Sequence, residues 1–471
     1  MNFRLRQSVV AVTGALLLTT GLSAMADSTT DIVNALISKG VLTEEEGALL
    51  IKGRTGEKES AEKKAKDQAS VKVGKKGLEV ESGDGNFSLK LGGRMHADVT
   101  SFQNDDNLRA RSPVTNVTPL EATSGTEIRR GRIALSGTLY KDFDYIIETD
   151  FSGNATGVRD LFVNYRGFKP LEITVGHQKH AMSMEIQESS NDIMFNERSA
   201  VQALTLPYFD RAIGVNLKTS GDNWNVQGGV YGDSVSPQES ASVGRSDEGG
   251  GWGLRGTFAP INEENRLVHF GANIGQRKTN DANNQVNSNS PAFALRTANN
   301  SGLSLSNTGN ITGLDQVTLG ILEFSAMYGP LSFQSEFAQA KAEREQRSDL
   351  DFNAFYVQAG YSLTGESRTY KGSDGEFKRL KPKNNFSLEK GTWGAWEVAA
   401  RYDQLDLVDE DILGGEQKRV SLNLNWYMNE NVRLLAGYTR TFDLENSPIV
   451  KANGDQPDSI DLLTLRTQFA F

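Results

Sequence analysis

The chain has 471 residues, no cysteine and a formal net charge of −10. Without thiols it can build neither a disulfide framework nor a thiolate metal centre, and its acidity offers nothing to a nucleic acid. With 37% apolar residues and 47 glycines it is lean for a soluble protein that must fill cores at native density.

Arg4 and Arg6 precede an apolar stretch over residues 9–18, and Ala24-Met25-Ala26 follows as a small-residue cleavage site. Residues 1–26 are therefore expected to be a signal peptide for export, because the stretch is too short for the ~20 residues a membrane-spanning helix needs. Its removal leaves 471 − 26 = 445 residues and takes away two arginines and no acid, so the net charge moves from −10 to −12. Residues 27–70 form a separate region. "TDIVNALISKG" puts Ile32, Val33, Leu36 and Ile37 at helical spacing, Gly40 is a stop, and Thr43 with Glu46 makes a capping box ahead of "GALLIKG". A short helical hairpin follows, then "EKESAEKKAKDQ" as a mixed-charge linker or solvated helix, on the periplasmic side. Alone it buries too little to be stable, so it is expected either to associate with copies of itself or with the periplasmic rim, or to be a loosely ordered tether.

From Phe87 the period changes to two. "NFSLKLGGRMHADVT" sets Phe87, Leu89, Leu91, Met95, Ala97 and Val99 on one face against Lys90, Arg94, His96 and Asp98 on the other. Runs such as "FDYIIETDF", "LGILEFSAMY", "RVSLNLNWYM" and "LLTLRTQFAF" repeat the pattern to Phe471, giving about sixteen strands. Short turns such as "MNEN" alternate with long polar segments such as the one that follows Arg277, and aromatics collect toward strand ends. No helical span of ~20 apolar residues occurs in the mature chain, so crossing a membrane requires a closed sheet. The expected fold is all-β: residues 71–471 as a transmembrane antiparallel β-barrel in the outer membrane of a Gram-negative bacterium, greasy toward lipid and wet inside. A terminal Phe471 on an alternating strand suits the barrel assembly machinery.

In "EIRRGRIALSGTLY", residues 127–140, Ile133 and Leu135 share one face and Arg130 and Arg132 the other. Two arginines on a lipid face would cost roughly 2–4 kcal/mol each at mid-membrane, so they are expected to face a lumen. The same parity sends Lys90, Arg94, Arg166, Lys218, Arg255, Arg401, Arg433 and Arg466 inward, and leaves Arg129 and Arg159 at a rim. Asp98, Asp150, Asp160, Glu172, Glu336 and Glu397 also point inward by this count. A row of guanidinium groups lets an oxyanion exchange hydration for successive hydrogen bonds, but arginines paired with acids merely to hold shape would give a general pore.

The segment "AGYSLTGESRTYKGSDGEFKRLKPKNNF", residues 359–386, followed by "GAWEVAARYDQLDL" and "NLNWYMNENVRLLAGY", resembles the phosphate-selective porins of the O and P type. "GGR" at 92–94, "RRGR" at 129–132 and "NERS" at 196–199 are similar to that family's recurring patches, and the helical lead to its coiled coil. The resemblance implies a sixteen-stranded homotrimeric porin with an inward-folded constriction loop, passing small phosphate-like anions. Carried over by position, Arg94, Arg129 and Arg130 match its basic residues in the first two strands. The constriction loop would span residues 177–209, where Lys179 and Arg198 stand among Glu185, Glu188, Asp192 and Glu197. Those carboxylates would repel phosphate.

The expectation is thus an outer-membrane porin, with an anion path along Arg94, Arg129, Arg130, Arg132, Arg166, Lys179, Arg198, Lys218, Arg255 and Arg401. The alternatives are a general or weakly cation-preferring porin and a non-transporting barrel adhesin. No catalysis, cofactor or metal is expected: His177 and His180 would face opposite sides of a strand, and no nucleophile elbow accompanies His96 or His269.

Overall fold

The computed structural model of the chain describes residues 28–75, 77–103, 108–111, 120, 122–154, 156–232, 249–279 and 291–471. The expected signal peptide lies outside the described residues. The chain divides into two units, residues 1–70 with 82–84 and the remainder. The first carries α1 (Ser28–Ser38) and α2 (Glu44–Asp67). Their junction is a reciprocal cap: Glu46 N donates to Thr43 Oγ1 (3.2 Å) and Thr43 N donates to Glu46 Oε2 (2.9 Å). Gly47 lies under Ile37 and Val33, where a Cβ would sit 2.4 Å from the Ile37 Cδ1.

The second unit is a closed barrel of sixteen antiparallel strands. They are β1 (Phe87–Gln103), β2 (Gly125–Leu139), β3 (Phe143–Asp150), β4 (Gly157–Tyr165), β5 (Leu171–Lys179), β6 (Arg211–Ser220), β7 (Trp224–Tyr231) and β8 (Gly250–Glu263). The second half comprises β9 (Arg266–Lys278), β10 (Leu314–Tyr328), β11 (Leu331–Arg344), β12 (Leu350–Ser362), β13 (Ala395–Asp409), β14 (Ile412–Tyr427), β15 (Val432–Glu445) and β16 (Ser459–Ala470). Each strand pairs with its successor, and β16 returns to β1 with Arg466 opposite Asp98. Phe471 finishes the seam by exchanging backbone hydrogen bonds of 3.0 Å with Gly93 in both directions. Closure leaves no free edge, which the hydrocarbon interior of a membrane requires.

The outward residues are those the alternation selects. Met95 and Val99 on β1, Ile133 on β2, Leu322 and Phe324 on β10, and Leu463 and Leu465 on β16 all stay exposed. An exposed apolar band of this extent belongs against lipid. Aromatic pairs ring the end of the barrel that carries its termini: Phe87 with Tyr140, Phe143 with Tyr165, and Trp396 stacked on Trp426 at 5.1 Å. Most connections at this end are tight, such as residues 264–265 and 329–330.

One connection at this end departs from the expected segregation of turn lengths. Residues 363–394, between β12 and β13, fold into the lumen instead of turning. Arg255 Nη1 and Nη2 donate to the carbonyls of Asp374 (2.9 Å) and Gly375 (2.7 Å), Asn225 Nδ2 donates to Ser373 O (2.6 Å), and Lys218 pairs with Asp374 at 2.7 Å.

The lumen is also drier than expected on one side. Val317, Leu319 and Ile321 on β10, Ala338 and Ala340 on β11, Phe352 and Tyr356 on β12, and Leu405 on β13 point inward and are buried. They pack under Leu204, Tyr208 and Phe209 from the connection between β5 and β6. Beside inward polar groups such as Glu323, Glu336 and Arg401, these positions are apolar because they face a protein core. Polar inward residues persist on other strands, as with His96 and Asp98 on β1 and Arg419, Ser421, Asn423 and Asn425 on β14. At the opposite end Leu108, Leu303, Leu305 and Ile449 from three connections share a further core with Phe102 of β1 and Ile460 of β16, and Leu108–Ala110 pairs with Ile449–Lys451.

Candidate permeation path

The connection between β5 and β6, residues 180–210, folds across the lumen through two helices, α3 (Met184–Gln187) and α4 (Gln202–Phe209). Irregular chain inside a barrel presents carbonyls that find no ladder partner, and each must be met by a donor. Guanidinium suits such carbonyls because it carries five N–H groups and no acceptor. Arg433 Nη1 donates to Ile193 O (2.8 Å), Arg401 Nη1 to Glu197 O (3.1 Å), and Arg198 Nε and Nη2 to Glu185 O (3.0 Å) and Glu188 O (2.8 Å). Arg466 reaches Asn196 O and, at 2.9 Å, the Glu197 carboxylate. Lys179 Nζ caps the end of α3 through Ile186 O and Gln187 O, both at 2.8 Å. At the other end of α3, Glu336 accepts from Met184 N (2.8 Å) and Glu185 N (3.1 Å).

Lys179, Arg198, Arg255 and Arg401 thus have their donors turned onto protein acceptors, with Arg255 Nε and Nη2 also gripping Glu323 at 2.8 and 2.9 Å. Lys218, at 20% exposure, holds Asp374.

Two residues expected at a rim point inward instead. The β1–β2 register shifts between the pairs His96–Arg130 and Ala97–Ile128, leaving Arg129 as the extra residue of a β-bulge. A bulge sends two neighbours to one face, so Arg129 joins Arg130 in the lumen and donates to Glu197 at 2.7 and 3.0 Å. A second shift on β4, between Leu161 and Val158, turns Arg159 inward beside Asp160, 3.6 Å from Asp150. Conversely Arg166, expected in the lumen, lies past the end of β4 in a turn and donates to Lys141 O at 2.9 Å and 3.2 Å. Strand parity fails there because the strand has ended.

Four arginines line the β1–β6 wall. Arg94 Nη2 donates to Glu148 (2.8 Å) and its Nη1 to the hydroxyls of Ser189 and Ser190, both 3.2 Å. Arg132 bridges Glu148 (2.9 Å) and Asp150 (2.8 Å), and Arg211 joins Asp160 (2.9 Å) to Asp210 (3.2 Å). Arg94, Arg132, Arg159 and Arg211 therefore face Glu148, Asp150, Asp160 and Asp210, four charges against four.

Below them, toward the termini, the balance shifts. A cavity of about 340 Å³ is lined by Lys75, Lys90, Arg94, Arg379 and Lys381 against Glu148, Glu430 and the terminal residue Phe471 with its carboxylate. Lys75 pairs with Glu430 at 2.5 Å and Arg379 with Asp192 at 3.3 Å, while Lys90 and Lys381 form no ion pair among the described residues. Residue-by-residue reading missed Lys75, Arg379 and Lys381. The signal was present in the basic run "KRLKPK" at 378–383, but nothing local says that this segment turns inward.

The histidines at the start of the constriction loop take structural partners: His177 Nδ1 donates to Arg159 O (2.6 Å) and His180 Nδ1 to Asp210 O (3.2 Å).

A closed sixteen-strand barrel with an apolar belt, turns and termini at one end and a loop folded across its lumen is the architecture of an outer-membrane porin. The family model described as phosphate-selective porin O and P matches residues 89–471, and the chain belongs to that family. It is 30% identical over 431 residues to Porin O of Pseudomonas aeruginosa, covering 84% of this chain and 91% of that protein. Among solved structures, an anion-selective porin from Comamonas acidovorans shares the fold at TM-score 0.50 and 14% identity, over 82% of this chain and 100% of that one. The outer membrane channel DcaP of Acinetobacter baumannii does so at TM-score 0.50 and 11% identity, over 83% and 99%.

Proposed function

We propose that this porin passes small anions, phosphate or related oxyanions, by passive diffusion, entering the periplasm through the end that carries its termini. The observation that carries the reading is the cationic excess of the terminal-side cavity, continuous with Arg94 and the hydroxyls of Ser189 and Ser190. An oxyanion loses hydration as it narrows into the constriction and replaces it with N–H and O–H donors. The neighbouring carboxylates keep any single stop shallow enough to leave. On this reading Arg94 and Arg132 act on the anion, with Arg129 and Arg159 flanking them. Lys179, Arg198, Arg255 and Arg401 hold the inward segments that shape the path. Homotrimer formation, with the helical lead in the periplasm, completes the reading and rests on family membership.

The four-against-four balance on the β1–β6 wall favours a second reading within the same class, a general diffusion porin with weak ion preference. Reversal potential across a planar bilayer in a salt gradient separates them. Preference for chloride over potassium, with chloride current competed by added phosphate, supports the anion channel; a reversal potential near zero or of cation sign rejects it. Purified protein that gives no channel steps would point to an adhesin.

A further inference from the structure

We propose that Asn191 is a specificity-determining donor of the anion path, and that His96 and Arg130 behind it fix which end of its amide faces the pore. The proposal rests on the anion-channel reading above. Arg130 lies on β2 with 4% of its surface exposed and, as a guanidinium, it has only donors to offer. Its Nη1 is 3.4 Å from His96 Nδ1. That ring nitrogen is therefore the acceptor, and the proton sits on Nε2. His96 Nε2 is 2.9 Å from the side chain of Asn191. With a proton on Nε2, the Asn191 atom it meets is the carbonyl Oδ1; the reversed amide would oppose two donors at that distance.

The backbone of Asn191 is held on both sides. Gln468 Nε2 donates to Asn191 O (3.0 Å), and Asn191 N donates to Ser189 Oγ (3.3 Å). The amide nitrogen is then the end left over, and no acceptor among the described residues takes it. Asn191 lines the terminal-side cavity with Lys90, Arg94, Arg379 and Lys381. A buried arginine thus sets the polarity of a neutral group two residues removed from it. The cations there supply attraction to any anion. An oriented N–H beside Arg94 adds a requirement for an acceptor oxygen, which inorganic phosphate meets with four and chloride meets poorly.

The test uses the full-length porin in planar bilayers, with chloride current titrated by inorganic phosphate. Asn191→Asp keeps the shape and replaces the donor by an acceptor. His96→Leu removes the latch and leaves Asn191 in place. His96→Gln can still donate to Oδ1 and serves as the rescue. The phosphate concentration for half-block is expected to rise about tenfold in the first and severalfold in the second, and to return toward wild type in the third. Compact heat-resistant migration on a gel shows that each barrel has folded. Independently of folding of the variants, ¹⁵N shifts of histidine-labelled wild type should place the His96 proton on Nε2. A wild type that prefers anions but whose phosphate block is unmoved by Asn191→Asp and His96→Leu overturns this assignment alone. A proton on Nδ1 also overturns it. A wild type without anion preference overturns the channel reading, while the tautomer still reports on the latch.

Discussion

Arg466 on the last strand grips Asp98 on the first through two parallel hydrogen bonds, Nε to Oδ1 at 2.7 Å and Nη2 to Oδ2 at 2.6 Å. The same guanidinium reaches Glu197 of the constriction loop at 2.9 Å. One side chain therefore ties the seam of the barrel to the loop that narrows it, and both members of the strand pair are almost fully buried.

Asp98 holds two of the guanidinium nitrogens of Arg466, so its removal leaves a buried charge only partly met by Glu197. Asp98→Asn is expected to cost about 3–5 kcal/mol, the range for breaking a buried pair. It should lower the temperature at which the compact barrel unfolds on a heat-modifiability gel. An unchanged transition would mean that backbone pairing alone secures the seam.

Arg132 stands between Glu148 and Asp150, at 2.9 and 2.8 Å. Arg132→Ala leaves Glu148 to Arg94 and takes from Asp150 its closest cation, a Coulomb change on the order of 1 kcal/mol, or about fivefold in relative anion permeability. Reversal potentials before and after the substitution read it directly. Arg130→Ala should weaken phosphate block of the chloride current, through the loss of His96 orientation, and neither change should unfold the barrel.

The inward segment 363–394 meets the turn between β6 and β7 at Gly372, where a Cβ would lie 1.9 Å from the Asp222 carbonyl oxygen. Backbone cannot yield by that much. Gly372→Ala is expected to displace the segment, at an overpacking cost of about 1–3 kcal/mol, and to weaken the Lys218–Asp374 contact. Single-channel conductance should rise, and protease should cut the segment in folded protein.

Glu188 lies in the constriction loop, outside any strand. Burial pushes its carboxyl up to about 8, opposed by Arg368 and reinforced by Glu376, Glu185 and Asp192. A raised acid keeps its proton in the fold while the unfolded chain has lost it, so its contribution is full below pH ~4.5 and disappears as pH rises toward 8. Thermal stability should therefore fall from pH 5 to 8, and Glu188→Gln should flatten that fall. Parallel pH curves for the two proteins would contradict the assignment.

Alternation made the barrel legible, and with it the inward face of Arg94, Arg130, Arg132, Arg401 and Arg466, because a period of two survives wherever one side meets lipid. It misplaced Arg129 and Arg159, since a bulge adds one residue without changing residue type, and it misplaced Arg166, which had already left its strand. It found Glu336 and Arg401 on the inward face of β11 and β13, but held no sign that Val317, Leu319, Phe352 and Leu405 on the same four strands face a protein core instead of water.

The sequence alone determined the sheet, its closure within lipid and the supply of cations inside, because outward and inward side chains answer to different solvents. Only the tertiary structure decided what those cations do. Two segments distant in sequence, 180–210 and 363–394, enter the lumen with carbonyls that need donors, and arginines bind those carbonyls before any solute arrives. What remains for an anion is set by which donors the protein has not already used.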